Sequence, residues 1–149
     1  VCLLTYTHSG RDYHRAVKSL LYNLQARLVA EFGEDIVSPD HQHIFCDSAP
    51  VLERRWCVEA GLGFIGRNRQ LIHPTLGSMV HPGELLLNVE VPAPPRPVFA
   101  GCGDCRRCLD ACPTGALRNP VWDARMCIAY TTHNCVVCQI NCPYNETVK

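Results

Sequence analysis

The sequence has no excess of charge of either sign: 14 basic and 14 acidic residues leave a formal net charge of zero over 149 residues. Without a basic excess it carries no electrostatic footprint for nucleic acid, and without an acidic excess it is no solvating tail, so charge alone names no partner. No apolar run approaches the roughly 20 residues needed to cross a bilayer, and no basic stretch leads into "VCLLTY" as it would in a signal peptide. These absences predict a cytoplasmic chain with no membrane contact, of a size for one domain or one domain with a small appendage. The chain opens without methionine, already inside an apolar strand-like run, and a further segment is expected upstream.

Cysteine, by contrast, is abundant, with 11 in the chain. Cys102, Cys105, Cys108, Cys112, Cys127, Cys135, Cys138 and Cys142 crowd the last third, whereas Cys2, Cys46 and Cys57 are scattered through apolar surroundings. An odd count, beside a first hundred residues patterned like a cytosolic α/β unit, argues against a secreted disulfide scaffold.

Hydrophobic spacing organises the first part of the chain. "VCLLTY" predicts a short buried strand. Tyr13, Val17, Leu20, Leu21, Leu24 and Leu28 fall mostly three and four apart, which predicts a long helix with Ser9 as its cap, Asp12 in its first turn and Gly33 at its end. "HIFCD" (43–47) predicts a second strand. "SAPVLERRWCVEAG" predicts a helix with Ser48 as N-cap, Pro50 in the first turn and Gly61 as the stop, so that Asp47 sits at a strand's carboxyl end. "RQLIHP" (69–74) and "GELLLNVEV" (83–91) predict two more strands. The prolines of "EVPAPPRPVFAG" forbid helix and interior strand and mark an extended connector. The domain boundary is therefore expected at about residue 92. Beyond it few residues can form a core, so an inorganic group is expected to hold that part together.

The run Cys102-x2-Cys105-x2-Cys108-x3-Cys112-Pro113 has the spacing that wraps three thiolates around one 4Fe-4S cube and sends the fourth to another. A second set exists. Cys135-x2-Cys138-x3-Cys142-Pro143 repeats the end of the motif, and Cys127 stands upstream in place of the missing first cysteine. By the crossed arrangement one cluster takes Cys102, Cys105, Cys108 and Cys142, and the other takes Cys127, Cys135, Cys138 and Cys112. A zinc ribbon is the competing use of paired C-x2-C motifs, but it needs neither a third cysteine at x2 nor a repeated cysteine-proline at x3. Two cubes form a relay for single electrons, so any active site is expected elsewhere.

In the first ninety residues, Gly61-x-Gly63-x-x-Gly66 matches a dinucleotide fingerprint by letter but follows a predicted helix rather than a strand. These glycines are expected to serve a turn or a close backbone approach. Asp47, at a strand end and facing a helix start, is positioned as a proton donor with Arg54 reaching back to orient it, the competing role being a simple cap. Glu53 and Glu59 read as solvated helix charges, His14 as a helix-surface residue, and His73 and His81 as structural loop histidines.

Taken in order, "GRDYH" (10–14), "DSAPVLERRW" (47–56), "EAGLGFIGRN" (59–68), "LIHPTLGS" (71–78), "GELLL" (83–87), "CGDCRRCLDACPTGAL" (102–117) and "CQINCPYN" (138–145) resemble the epoxyqueuosine reductase family. The resemblance implies a cobalamin-dependent enzyme with two 4Fe-4S clusters that reduces epoxyqueuosine to queuosine at the wobble position of tRNA, fed by an external low-potential electron donor. It implies Asp47 as proton donor, Arg54 beside it, and the backbone at Gly61, Gly63 and Gly66 as lining for cobalamin. The architecture expected is an α/β (α+β) catalytic unit, residues 1–92, followed by a bicluster ferredoxin-like module, residues 93–149. A stand-alone electron carrier and another corrinoid reductase, such as a reductive dehalogenase, are the rival expectations.

Overall fold

The structure, a computed structural model, describes residues 2–5, 12–37, 44–92, 95–118, 121–132 and 135–146. It is a mixed helix and strand fold in two compact units. The first unit comprises Val1–Gly61 with Val80–Pro97, the second Leu62–Met79 with Val98–Lys149. The chain thus crosses between units more than once, and residues 62–79, expected in a first domain of residues 1–92, belong to the second compact unit.

In the first unit, β1 (Cys2–Thr5), β2 (Ile44–Phe45) and β5 (Val80–Leu85) form an antiparallel sheet in the order β1-β5-β2. Leu3 lies opposite Pro82, and Ile44 opposite Leu85. Proline is tolerated inside this central strand because β2 is short and pairs only with Glu84 and Leu85, leaving β5 a single partner at Pro82. The strand expected over 83–91 is therefore displaced: β5 starts at Val80 and ends at Leu85, opposite Ile44, and Leu86, Val89 and Val91 are exposed beyond it. That exit is tied down by the Asn88 amide, which donates to the Ile36 carbonyl at 2.7 Å.

Helix α1 (Tyr13–Phe32) covers one face of this sheet. Val17 and Leu21 are fully buried and cluster with Ile44 and Cys46, whereas Leu20 and Leu24 face outward. The helix approaches so closely that a Cβ on Gly83 would collide with Val17 and Leu21. Asp12, expected inside the first turn, is the N-cap itself, its carboxylate accepting from the His14 amide at 3.0 Å. Ser9, the expected cap, lies outside the described residues. Gly33 ends the helix with a φ of 91°, a left-handed conformation suited to glycine.

Helix α2 (Glu53–Glu59) is shorter than its sequence predicts. Ser48 does not cap it: the N-cap is Leu52, without a side-chain hydrogen bond, and residues 46–50 make a series of bends. The cause lies at Asp47, whose φ of 56° turns the chain out of the strand direction before any helix can begin. Glu53 and Cys57 are the buried residues of α2.

Glu84 alternates with Gly83 and Leu85, so its side chain leaves β5 on the face away from α1. It is 3% exposed, and neither carboxylate oxygen has a hydrogen-bond partner among the described residues. Burial, reinforced by the charge of Glu53, pushes its carboxyl up to about 7. Between the ordinary value of 4.5 and about 7 the unfolded chain releases this proton while the folded chain keeps it. The contribution to stability is therefore complete at low pH and is lost as pH rises through that window. Glu84→Gln should flatten the fall in urea-unfolding free energy between those limits, a difference of about 3 kcal/mol. Equal pH slopes for the two proteins would refute it.

The second unit contains a short hairpin, β3 (Phe64–Ile65) with β4 (Leu71–Ile72), and three short helices, α3 (Arg107–Ala111), α4 (Ile128–Thr132) and α5 (Val137–Ile140). Strand β3 falls within "GLGFIG", so this glycine run opens a hairpin and no dinucleotide-binding helix. The hydrophobic cluster of the unit consists of Cys108, Leu109 and Leu117, with Cys112 and Cys138 packed against it. Three of these five residues are cysteines. Among the described residues no helix is long and apolar enough to cross a membrane.

Candidate functional site

Two cavities in the second unit are lined by cysteines. Cys102, Cys105, Cys108 and Cys142 line one, together with Ile72 and Tyr144. Cys112, Cys127, Cys135 and Cys138 line the other, together with Leu117, Trp122, Ile128 and Val137. Each set draws three cysteines from one part of the sequence and a fourth from the other. Four thiols around an apolar hollow suit a group that takes four thiolate ligands and displaces water. Among the described residues no group of three or more His, Cys, Asp or Glu side chains is gathered to hold a single metal ion.

Backbone geometry explains the spacing. Gly101 and Gly103 have φ of 68° and 49°, left-handed values that let the chain wrap around Cys102. Helix α3 then carries Cys108 inward, and Pro113 follows Cys112, preventing the helix from continuing. The turn after Cys112 has Gly115 at φ 69°. Burial works to raise the Cys112 thiol, but the amides of Leu117, Thr114 and Ala116 and the Thr114 hydroxyl outweigh it and hold the thiol below its usual value. Burial and the neighbouring thiols Cys108, Cys127 and Cys135 push Cys138 up to about 11. Such thiols bind as thiolates only when cationic metal offsets the burial.

The second cysteine-proline turn is fastened to the hairpin segment. Asn145 accepts from the Ser78 amide at 2.6 Å and donates to the Ser78 hydroxyl at 3.0 Å and the Gln139 carbonyl at 2.6 Å. Gln139 donates to the Ser78 carbonyl at 2.6 Å. Gly77 has a φ of 70° and no space for a Cβ, which would strike Asn145. These bonds are why residues 62–79 join the cysteine unit. His73 has the structural role expected of it, its Nδ1 accepting from the Thr75 and Leu76 amides at 3.2 and 3.1 Å.

In the first unit Asp47 is exposed and held from two sides. The Tyr13 hydroxyl donates to its Oδ2 at 2.7 Å, and its own amide donates to Glu53 Oε1. A left-handed φ at a non-glycine residue is a strained arrangement that persists only where its surroundings enforce it. Burial, and then the bond to Asp47, raise the Tyr13 hydroxyl far above its ordinary value, so it remains a donor. Tyr13 stacks on His14 and His81, with ring centroids 4.0 and 3.8 Å away. His81 is thus a strand residue against an aromatic ring rather than a loop histidine, and burial lowers its basicity.

Glu53, expected to be solvated, is 9% exposed. Burial raises its carboxyl, while the Asp47 amide and then the charge of Arg54 act in the opposite sense. Arg54 itself is exposed on α2. Tyr13 and Glu53 hold Asp47 in ways that sequence reasoning missed; their place within "GRDYH" and "DSAPVLERRW" was the signal for them. Glu59 pairs with Arg55 at 2.6 Å and with Arg96.

The three glycines also have places. Gly61 has a φ of 71° and lies against Pro97 within the first unit. Gly63 and Gly66, in the second, face the Ile72 backbone and side chain so closely that neither tolerates a Cβ.

The family described as 4Fe-4S double cluster binding domain matches residues 101–135. An epoxyqueuosine reductase of Xanthomonas campestris pv. campestris is 40% identical, the match covering 92% of this chain and 42% of that protein. A crystal structure of epoxyqueuosine reductase with a tRNA-Tyr epoxyqueuosine-modified stem loop superposes with a TM-score of 0.80 at 31% identity, covering 92% of this chain and 40% of that one. A Bacillus subtilis epoxyqueuosine reductase, described with an aspartate catalytic loop swung out of the active site, superposes at 0.73 with 31% identity and the same coverage. The chain spans less than half the length of these relatives. In sequence and in fold, over nine tenths of its own length, it is similar to epoxyqueuosine reductases.

Proposed function

We propose that this chain supplies the electron relay and the proton donor of an enzyme that reduces epoxyqueuosine to queuosine in tRNA, in the cytoplasm. The observation that carries the reading is the pair of cavities, each lined by three cysteines of one motif and one of the other. In this reading Cys102, Cys105, Cys108 and Cys142 ligate one 4Fe-4S cluster and Cys127, Cys135, Cys138 and Cys112 the second, in a ferredoxin-like crossed arrangement. When bound, the clusters and cobalamin supply low-potential electrons and a reducing centre for the epoxide.

The residues of the chain do the rest. Asp47 presents an exposed carboxyl, fixed by the Tyr13 hydroxyl and by Glu53, and delivers a proton to the oxygen that leaves the substrate. Arg54 contributes positive charge beside this carboxylate pair. By the family resemblance, the backbone at Gly61, at Gly63 and at Gly66 would meet the corrinoid. The relatives support this reading: one is described with epoxyqueuosine-modified tRNA, another with a catalytic aspartate loop. An external low-potential donor supplies the electrons.

Cys112→Ser should damage the cluster shared with Cys127, Cys135 and Cys138 and leave the other spectroscopically intact; loss only of the cluster at Cys102, Cys105 and Cys108 would show that the ligands do not cross. In the whole protein, Asp47→Asn should retain both clusters and bound cobalamin, seen in the corrinoid absorption spectrum, while turnover of epoxyqueuosine in tRNA falls about 10²–10⁴-fold. Wild-type turnover would return Asp47 to a structural role. Failure of the whole protein to bind any corrinoid would make the chain a part of an electron carrier.

A further inference from the structure

Asn68 lies between the two cysteine cavities and lines both. It sits in the loop of the β3–β4 hairpin and is 2% exposed. Its Oδ1 accepts from the Gln70 amide at 3.1 Å, which fixes which end of the side-chain amide points which way. Gly66 is packed against this same oxygen, so the amide is held in place: a Cβ there would stand 2.8 Å from it. The other end, Nδ2, is buried and has no hydrogen-bond partner among the described residues.

A buried amide nitrogen without an acceptor costs about 1–3 kcal/mol, and such groups in folded proteins call for a specific partner. The lining of both cavities supplies one chemistry for that partner, sulfur. The neighbouring residue already donates to it: the Arg67 amide reaches Cys102 Sγ at 3.4 Å, while the Arg67 guanidinium holds the Gly103 carbonyl at 2.8 Å. The hairpin loop is therefore a donor-bearing cap over the cysteines, and Asn68 is the one residue of it that faces both hollows.

We infer that the Asn68 side-chain amide donates N–H···S hydrogen bonds to iron-sulfur clusters held in these cavities and thereby raises the reduction potential of at least one of them. The inference rests on the two-cluster reading given above. Its physical basis is that a cluster gains negative charge on one-electron reduction, so a donor aimed at its sulfur stabilises the reduced form more than the oxidised one. The amide carries two hydrogens, enough to serve a sulfur on either side. Asn68 is accordingly a positioning and tuning residue, distinct from the ligands.

The test is a redox titration followed by electron paramagnetic resonance on the reconstituted chain and on Asn68→Leu, with iron and sulfide measured on both. Asn68→Leu removes the donor without adding charge. It should load the same iron and sulfide and lower at least one midpoint so that, at the wild-type midpoint, the reduced-to-oxidised ratio falls about tenfold, equivalent to about 59 mV for one electron. Full loading with both potentials unmoved or raised would overturn the inference. Should Asn68→Leu fail to take up iron, pulsed resonance on reduced wild-type protein labelled with ¹⁵N in asparagine side chains decides instead: coupling of a label to a cluster supports the bond, and its absence refutes it. A wild-type chain that takes up no iron and sulfide would refute the two-cluster reading itself.

Discussion

Thiol convergence is the constraint on which the cysteine-rich unit depends. Its helices are four or five residues long, and its buried cluster is Cys108, Leu109 and Leu117 with Cys112 and Cys138 packed against it. Such short helices have no stability of their own, and a core of a few leucines does not hold them. What organises them is that Cys142 is brought beside Cys102, Cys105 and Cys108, and Cys112 beside Cys127, Cys135 and Cys138. Each motif then depends on the other, because neither completes a set of four alone. Metal binding in such a unit is inseparable from its folding.

The hairpin from residues 62–79 belongs to this same logic. It is fastened at one end by the Asn145 and Gln139 bonds to Ser78 and at the other by Arg67 on Cys102 and Gly103. Its glycines are demanded by these contacts, Gly77 by Asn145 and Gly63 and Gly66 by Ile72. The first unit shows a different economy. There one strained residue, Asp47, is held by a tyrosine from α1 and a buried glutamate from α2. The two helices lie against the same strand β5, so the sheet fixes the position of a single carboxyl.

How much of this was legible depended on whether the signal is local. The cysteine spacings were legible because cluster geometry is written directly into short intervals along the chain, and α1 because its apolar residues recur at helical intervals. Glu53 was misread because a charged residue in an amphipathic helix is normally solvated, and its partner, the Asp47 amide, is exposed to it only by a left-handed turn that no propensity announces. The short strand β3 was hidden in a glycine run whose letters suggest a nucleotide loop. Tyr13 meets Asp47 across 34 positions, and Ser78 meets Asn145 across 67. No periodicity reports contacts of that range; Asp47 itself stood out by its place between a strand end and a helix start, and its partners did not.

The central claim is that these eight cysteines hold two four-iron clusters, and metal stoichiometry addresses it most directly. Protein purified without oxygen should contain about eight iron and about eight acid-labile sulfide per chain, as two cubes require. Stoichiometric zinc without acid-labile sulfide would contradict the account.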